Sequence, residues 1–88
     1  MAKVLMVVRI LPRDSETDLN RLLDKIVKTL PNDIRVCDSG REEIGFGLEA
    51  LVVGFLMPEM EGVGEDLERR LASIEEVGEI DIQSVTRV

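Results

Sequence analysis

The sequence predicts an α+β sandwich, in which four antiparallel strands form one sheet and two helices cover one of its faces. Three observations predict it. The chain has 88 residues, which is enough for one domain and leaves little room for a second. Its apolar segments follow strand-like or helix-like spacing in the order strand, helix, strand, strand, helix, strand. No low-complexity segment or linker interrupts that order, so residues 1–88 are expected to form a single domain.

The first half of the chain is predicted to contain a strand, a helix and a second strand. The run Val4–Leu11 is apolar and rich in β-branched residues, and it stops at Pro12, which predicts a central strand. Apolar side chains then recur at helical spacing over residues 19–30, which predicts an amphipathic helix that Pro31 ends. Ile34–Asp38 alternates apolar and polar residues, as a strand with one solvent-facing side does.

The second half follows the same pattern after a polar segment. Ser39–Glu43 is charged and contains a glycine, so it is interpreted as a surface connection. The apolar run Leu48–Met57 predicts the third strand. Apolar side chains at helical spacing within Val63–Ile74 predict the second helix. Glu79–Val88 predicts the last strand, and because its alternation slips near Val85, a bulge or an irregular end is expected there.

Two strand–helix–strand units in tandem have a preferred way of combining. Right-handed crossovers allow them to interlock, which gives the ferredoxin-like βαββαβ sandwich. Both helices then lie on one face of the sheet, although the first and third strands are apolar on both faces. The other face is therefore expected either to bind a partner or a second copy of the chain, or to be covered by loop and tail residues.

Composition and charge exclude several classes of function. The net charge is −7, from 18 acidic and 11 basic residues, so the chain as a whole repels a phosphate backbone and no direct nucleic-acid binding is expected. Histidine is absent and Cys37 is the one cysteine, which excludes a histidine general base and a zinc site built from these residue types. The acidic groups Glu42–Glu43 and Glu59–Glu65 lack the ligand spacing of a calcium loop, so no cofactor or metal is expected.

The cellular compartment is also predicted from the sequence. The apolar runs are far shorter than the roughly 20 residues that cross a bilayer, and no membrane association is expected. The first residues lack the pattern of a signal peptide. A lone cysteine cannot form a disulfide within the chain, which agrees with a reducing compartment. These observations predict a cytoplasmic protein.

The most informative segment is Ile44-Gly45-Phe46-Gly47, just before the third predicted strand. Glycines on both sides of Phe46 permit positive φ, so a bulky aromatic side chain can project from a tight loop. A rigid aromatic on a loop tip is a residue type that anchors protein interfaces, and its truncation often weakens binding by about 2–4 kcal/mol. The residues alone leave open the alternative that Phe46 is a core aromatic and that the glycines only form a turn.

The segment Ile44–Leu48 resembles the Ile-Gly-Phe-Gly segment in the beta family of elongation-factor exchange proteins. The stretch Leu67–Glu79 and the tail Asp81–Val88 are also similar to that family, and the resemblance covers the whole chain in order and length. It implies a non-enzymatic translation factor that promotes exchange of GDP for GTP on the GTPase elongation factor 1-alpha. It also implies a set of partner-binding residues: Ile44, Gly45, Phe46, Gly47, Arg87 and Val88.

The resemblance implies a role for two of these side chains. Phe46 is expected to insert into a hydrophobic pocket of the GTPase and to shift elements near the nucleotide. Arg87 stands one residue before an apolar end, where eukaryotic family members have a lysine, and it is expected to approach the magnesium and phosphate region. The guanidinium group of arginine is planar and forked, whereas the ammonium group of lysine is a compact charge, so the two are not equivalent. Two alternatives for Arg87 therefore stay open: it is a solvated terminal residue, or it pairs with an acidic group of the partner.

Two other functional classes share this topology, because fold does not decide function. An ACT-like small-molecule-binding regulatory module would carry a glycine-rich turn after the first strand, where this chain has Pro12–Ser15. An acylphosphatase-like enzyme would need an arginine-bearing phosphate cradle there; Arg9 and Arg13 lie nearby, but the glycine-rich loop is missing. An exchange factor without covalent chemistry is therefore the leading hypothesis, and the ACT-like module is the alternative.

Overall fold

A computed structural model describes residues 2–88 as one antiparallel sheet with two helices. The elements along the chain are β1 (Lys3–Pro12), α1 (Leu19–Thr29), β2 (Arg35–Gly45), β3 (Leu48–Pro58), α2 (Val63–Ala72) and β4 (Val77–Arg87). The strands lie side by side in the order β2-β3-β1-β4, and every neighbouring pair is antiparallel. This arrangement confirms the predicted ferredoxin-like βαββαβ sandwich.

The hydrophobic core lies between the two helices and one face of the sheet. Alternate residues of the central strands β1 and β3 enter it, as the two-residue period of a strand requires. Phe55 is the largest fully buried side chain, and its register neighbours are Met6 on β1 and Val36 on β2. One contiguous cluster contains Met6, Val8, Ile10, Leu19, Leu22, Ile26, Ile34, Leu51, Val53, Phe55, Met57, Leu67, Leu71, Ile74 and Val77.

Polar side chains set the ends of α1 and join it to α2. Asp18 is the N-cap of α1, and its Oδ1 accepts hydrogen bonds from the backbone N–H of Asn20 at 3.0 Å and of Arg21 at 3.4 Å. At the other end, a guanidinium nitrogen of Arg70 donates to the Thr29 carbonyl at 3.0 Å. The Arg70 Nε also donates to Asp66 at 2.8 Å, and this hydrogen bond holds the pKa of Asp66 below its ordinary value.

The second strand is longer than predicted. β2 pairs with β3 along its length as far as Gly45, so the interpretation of Ser39–Glu43 as a surface connection is wrong. β2 lies at the edge of the sheet, and the side chains of this stretch are exposed. An edge strand tolerates charge and glycine, and charges there discourage pairing with other chains. Composition alone therefore made this strand resemble a loop.

Strand β4 contains two irregularities against β1. The register skips Gln83, which confirms the bulge predicted near Val85, two residues closer to the start of the strand. It also skips Gly78, where β4 begins. A Cβ at Gly78 would lie 2.9 Å from the Arg13 Cα and 3.0 Å from the Pro12 carbonyl oxygen. The end of β1 therefore approaches the β4 backbone so closely that only glycine fits without displacement.

The sheet face opposite the helices is partly covered by its own side chains. Arg9 donates to Glu42 on β2 at 3.1 Å and to Asp81 on β4 at 3.0 Å, so one ion-pair network spans the width of the sheet. Four further apolar side chains on this face are only half-buried; they are Leu5, Val7, Val52 and Leu56. Self-association through this face stays a prediction.

Candidate partner-binding site

The segment Ile44–Leu48 forms the turn of the β2–β3 hairpin. Gly45 faces Leu48 in the register, so Phe46 and Gly47 are the two turn residues. Their φ angles are 55° and 75°, and that of Gly45 is 104°. Positive φ at both central residues is what a type I′ hairpin turn requires, and Asn-Gly is a strongly preferred sequence there. This chain has phenylalanine in the position where asparagine is favoured.

Phe46 is held in an unfavourable backbone conformation. Within residues 2–88 it is the one non-glycine residue with positive φ, a conformation that costs a residue with a Cβ about 1–2 kcal/mol. Its side chain is 104% exposed, so burial does not offset that cost, whereas Phe55 is fully buried. The alternative that Phe46 is a core aromatic is therefore wrong. A strained, fully solvated aromatic does not serve stability, and such outliers cluster at functional sites.

The base of the hairpin is anchored to the body of the molecule. Arg41 on β2 donates to the Asn20 side-chain oxygen on α1 at 2.9 Å, and its guanidinium lies 3.8 Å from Glu49 on β3. A cavity of about 340 Å³ opens beside the turn, between the base of the hairpin on one side and the β1–α1 connection with the start of α1 on the other. Its apolar wall consists of Leu11, Leu19, Ile44 and Leu48. The turn thus projects from a supported base, with only its tip free.

The C-terminal candidates Arg87 and Val88 lie at the end of β4. The Val88 N–H donates to the Lys3 carbonyl at 2.9 Å, so the backbone of the tail is held by β1. The Arg87 Nε donates to Glu59 at 2.8 Å, and a second guanidinium nitrogen contacts the same carboxylate oxygen. Both side chains remain largely exposed, at 73% for the Arg87 side chain and 65% for Val88. The tail is fixed in position, and its side chains are accessible.

Glu59 is the partner of Arg87 that sequence reasoning missed. It belongs to the acidic run Glu59–Glu65 of the β3–α2 loop, and it stands 28 residues from Arg87. No local spacing connects the two residues. Only the pairing of β4 with β1, and of β1 with β3, brings the end of β4 next to that loop.

Phe46 and Arg87 lie at opposite ends of the sheet. β3 starts beside the turn at Leu48 and runs to Met57, which faces Val4, which in turn faces Arg87. At about 3.3 Å per residue, the length of β3 between Leu48 and Met57 separates the two ends by about 30 Å. The longest dimension of the molecule is 42 Å. The predicted site residues therefore form two surfaces, one at the hairpin turn and one at the tail.

The described residues show neither a cluster for a metal ion nor a membrane-spanning helix. Within residues 2–88, no three side chains of the types that commonly bind metals come together. Neither α1 nor α2 has the length and apolar character needed to cross a bilayer.

Comparison with known proteins decides the family. A family model described as the EF-1 guanine nucleotide exchange domain matches residues 5–88. The chain belongs to this family. The match includes both surfaces of this exchange domain, the hairpin turn and the tail, and it confirms the resemblance found in the sequence. It favours an exchange factor over the ACT-like module.

Proteins named elongation factor 1-beta match the exchange domain over nearly their whole length. That of Thermofilum pendens is 43% identical over 88 residues, covering 99% of this chain and 97% of the relative. That of Staphylothermus marinus is 39% identical over 89 residues, covering 100% and 99%. That of Archaeoglobus fulgidus is 35% identical over 85 residues, covering 97% of both chains.

Proposed function

We propose that this chain, as one exchange domain over residues 1–88, promotes exchange of GDP for GTP on elongation factor 1-alpha. Family membership supports the class of reaction. The observation that carries the proposal is the fully exposed Phe46 ring on a strained turn, because that conformation has no benefit to folding. The acidic net charge favours a protein partner over nucleic acid. The cytoplasmic location expected from the sequence stays a prediction.

Exchange requires no covalent chemistry from this chain. The factor must bind the GTPase more tightly when nucleotide and magnesium are absent than when they are present. Linkage then requires that the factor weaken nucleotide binding by the same ratio. Catalytic side chains are not needed for such a reaction; what is needed is a surface whose contacts are incompatible with the nucleotide-bound arrangement of the partner.

At the hairpin surface, Phe46 is the proposed anchor. Positive φ at Gly45 and Gly47 lets the chain reverse within two residues, so the ring stands clear of its own sheet. A ring that is already exposed and positioned loses little conformational freedom when it enters a pocket of the partner. Ile44 lies at the base of the turn, where it is half-buried and supports the backbone.

At the tail surface, Arg87 is the proposed charge near magnesium and phosphate. A bound magnesium ion and the phosphates are among the largest local charges of a GTPase site, so a competing guanidinium there weakens nucleotide binding. Arg87 must leave Glu59 to reach such a site, and an exposed ion pair of this kind opposes that by at most about 1 kcal/mol. Because the two surfaces lie about 30 Å apart, Phe46 and Arg87 contact separate places on the partner.

The proposal is tested by nucleotide release. Elongation factor 1-alpha loaded with a fluorescent GDP analogue is mixed with excess unlabelled nucleotide, and fluorescence is followed with and without this chain. We expect release to accelerate with chain concentration and to saturate, as formation of a complex requires. Release that stays at the spontaneous rate at every concentration would show that the proposed function is wrong.

The role of Arg87 is tested by two substitutions at different magnesium concentrations. Arg87→Ala is expected to lower the stimulated release rate about ten- to a hundredfold, in line with about 1.5–3 kcal/mol for a hydrogen bond to a charged group. Arg87→Lys keeps the charge and should retain most of the activity. In EDTA, where magnesium is already removed, Arg87→Ala and the unmodified chain should differ little. Equal rates for all three chains at every magnesium concentration would instead leave Arg87 as a solvated terminal residue.

A further inference from the structure

Three methionines line one groove at the tail end of the molecule. The groove has a volume of about 240 Å³ and opens between the start of α2, the β3–α2 loop and the end of β4. Met6 and Met57 are buried and form its floor, whereas Met60 and Val85 are 61% and 58% exposed and form its rim. These four residues define what we call the methionine groove. They include every methionine of residues 2–88.

The groove differs in composition from the rest of the core. Elsewhere, the buried cluster consists of leucine, isoleucine, valine and phenylalanine, which have well-defined rotamers. Methionine is unbranched and flexible, and it is common on surfaces that adapt to a partner. Gly64 at the start of α2 places no side chain in the groove; a Cβ there would lie 3.2 Å from the Met6 methyl carbon. A larger residue at position 64 would press on the floor of the groove.

The methionine groove is continuous with the tail surface. Val85 lies two residues before Arg87, on the same face of β4. Glu59 lines the groove and also holds the Arg87 guanidinium. A partner surface close enough to reach Arg87 must therefore cover this groove as well. Its volume is below the roughly 300–1,000 Å³ of small-molecule pockets, which suits one or two protein side chains.

We propose that the methionine groove receives an apolar side chain of the GTPase partner, with a basic residue of the partner beside it. The inference rests on the proposed exchange function and adds a contact next to Arg87. The basic residue follows from charge: Glu59 and Glu61 line the groove, and Glu61 forms no ion pair within residues 2–88. When Arg87 turns toward the nucleotide site, the Glu59 carboxylate loses its cation, and a lysine or arginine of the partner replaces it.

This arrangement suits a factor that must hold its partner in more than one state. The contacts of the GTPase change as nucleotide and magnesium leave, so a rigid pocket would fit only one arrangement. Flexible methionine side chains can repack around an apolar side chain that shifts its position. The groove thus maintains contact at the tail end of the complex while Arg87 moves between Glu59 and the nucleotide site.

Methionine methyl groups provide a direct test. The full chain is labelled with ¹³C at its methionine methyls, the signals are assigned with Met→Leu variants, and nucleotide-free elongation factor 1-alpha is added. We expect the signals of Met6, Met57 and Met60 to shift or broaden as the complex forms. Unchanged signals in a complex detected by size-exclusion chromatography would overturn this inference alone. If no complex forms with the unmodified chain, the proposed function fails, and the groove proposal fails with it.

Two exposed valines give a matched pair of variants for the same question. Val85 is 58% exposed in the methionine groove, whereas Val27 is 50% exposed on α1 and lines neither that groove nor the cavity beside the turn. Val85→Asp is expected to weaken binding to the GTPase about tenfold or more, as loss of a well-packed apolar contact does, and Val27→Asp less than twofold. If Val85→Asp folds poorly, Met60→Gln replaces it, because this substitution is polar, similar in shape and placed on an exposed loop. Met60→Gln should also weaken binding to the GTPase. Equal affinities for Met60→Gln and the unmodified chain would contradict the proposal.

Discussion

Replacing Phe46 with asparagine is expected to stabilise the chain and to remove most of its exchange activity. Asn-Gly satisfies the positive φ angles of the turn, so the left-handed strain at position 46 is relieved. The free energy of unfolding should rise by about 1 kcal/mol, which for a domain of this size raises Tm by about 4–8 °C. Loss of the ring should weaken the proposed interface by about 2–4 kcal/mol, or about 30- to 900-fold in affinity.

The two effects of Phe46→Asn are measured separately. Thermal unfolding followed by circular dichroism reports the stability, and release of fluorescent GDP from elongation factor 1-alpha reports the exchange. Phe46→Tyr is the matched control, because it keeps both the aromatic ring and the strained backbone, and neither quantity should change much. Phe46→Asn with undiminished exchange would contradict the anchor role, and a lower Tm would contradict the assignment of strain.

If Phe46→Asn raises the stability and lowers the exchange rate, these opposite changes would distinguish a functional role of Phe46 from a packing role. Substituting a core residue lowers both the stability and the activity of the protein, because the fold that carries the function is lost. Substituting a residue that is kept in an unfavourable conformation for its contacts with a partner raises stability and lowers activity. Phe46 is expected to belong to the second kind, and its exposure is the reason.

Phe55→Ala should strongly lower the free energy of unfolding of this chain. The ring is fully buried at the centre of the sheet, between Met6 and Val36 on the neighbouring strands. Truncating a buried phenylalanine costs about 3–5 kcal/mol, because apolar contacts are lost and a cavity remains. The free energy of unfolding of a small domain is about 5–15 kcal/mol in total, so this substitution would remove much of the stability of the chain.

Urea unfolding measures the effect of Phe55→Ala. The midpoint should fall strongly while the slope of free energy against denaturant stays the same, since the surface exposed on unfolding changes little. Phe55→Leu retains a large apolar side chain and should lose less than half as much. While folded, Phe55→Leu should also keep most of its exchange activity, because Phe55 is fully buried and cannot itself contact the partner. A Phe55→Ala chain within 1 kcal/mol of the unmodified one would contradict the core assignment.

The order of elements is present in the sequence because local periodicity records which side of a segment is buried. The leucines and Ile26 of α1 repeat at helical spacing between Asp18 and Pro31, and these limits coincide with the observed helix to within two residues. The apolar run ending at Pro12 became β1 for the same reason. The glycines around Phe46 also indicated a turn, since their conformational freedom is a property of the residue itself.

Other features depend on neighbours that are distant along the chain, and only the tertiary structure decided them. Ser39–Glu43 became an edge strand because β3 supplied hydrogen bonds that composition does not encode. Glu59 lies beside Arg87 because β3 pairs with β1 and β1 pairs with β4. The sequence did determine that the Ile44–Gly47 segment and the tail are candidates for partner binding. Their separation of about 30 Å followed from the antiparallel course of β3, β1 and β4, because strand register, not local spacing, sets distances across a sheet.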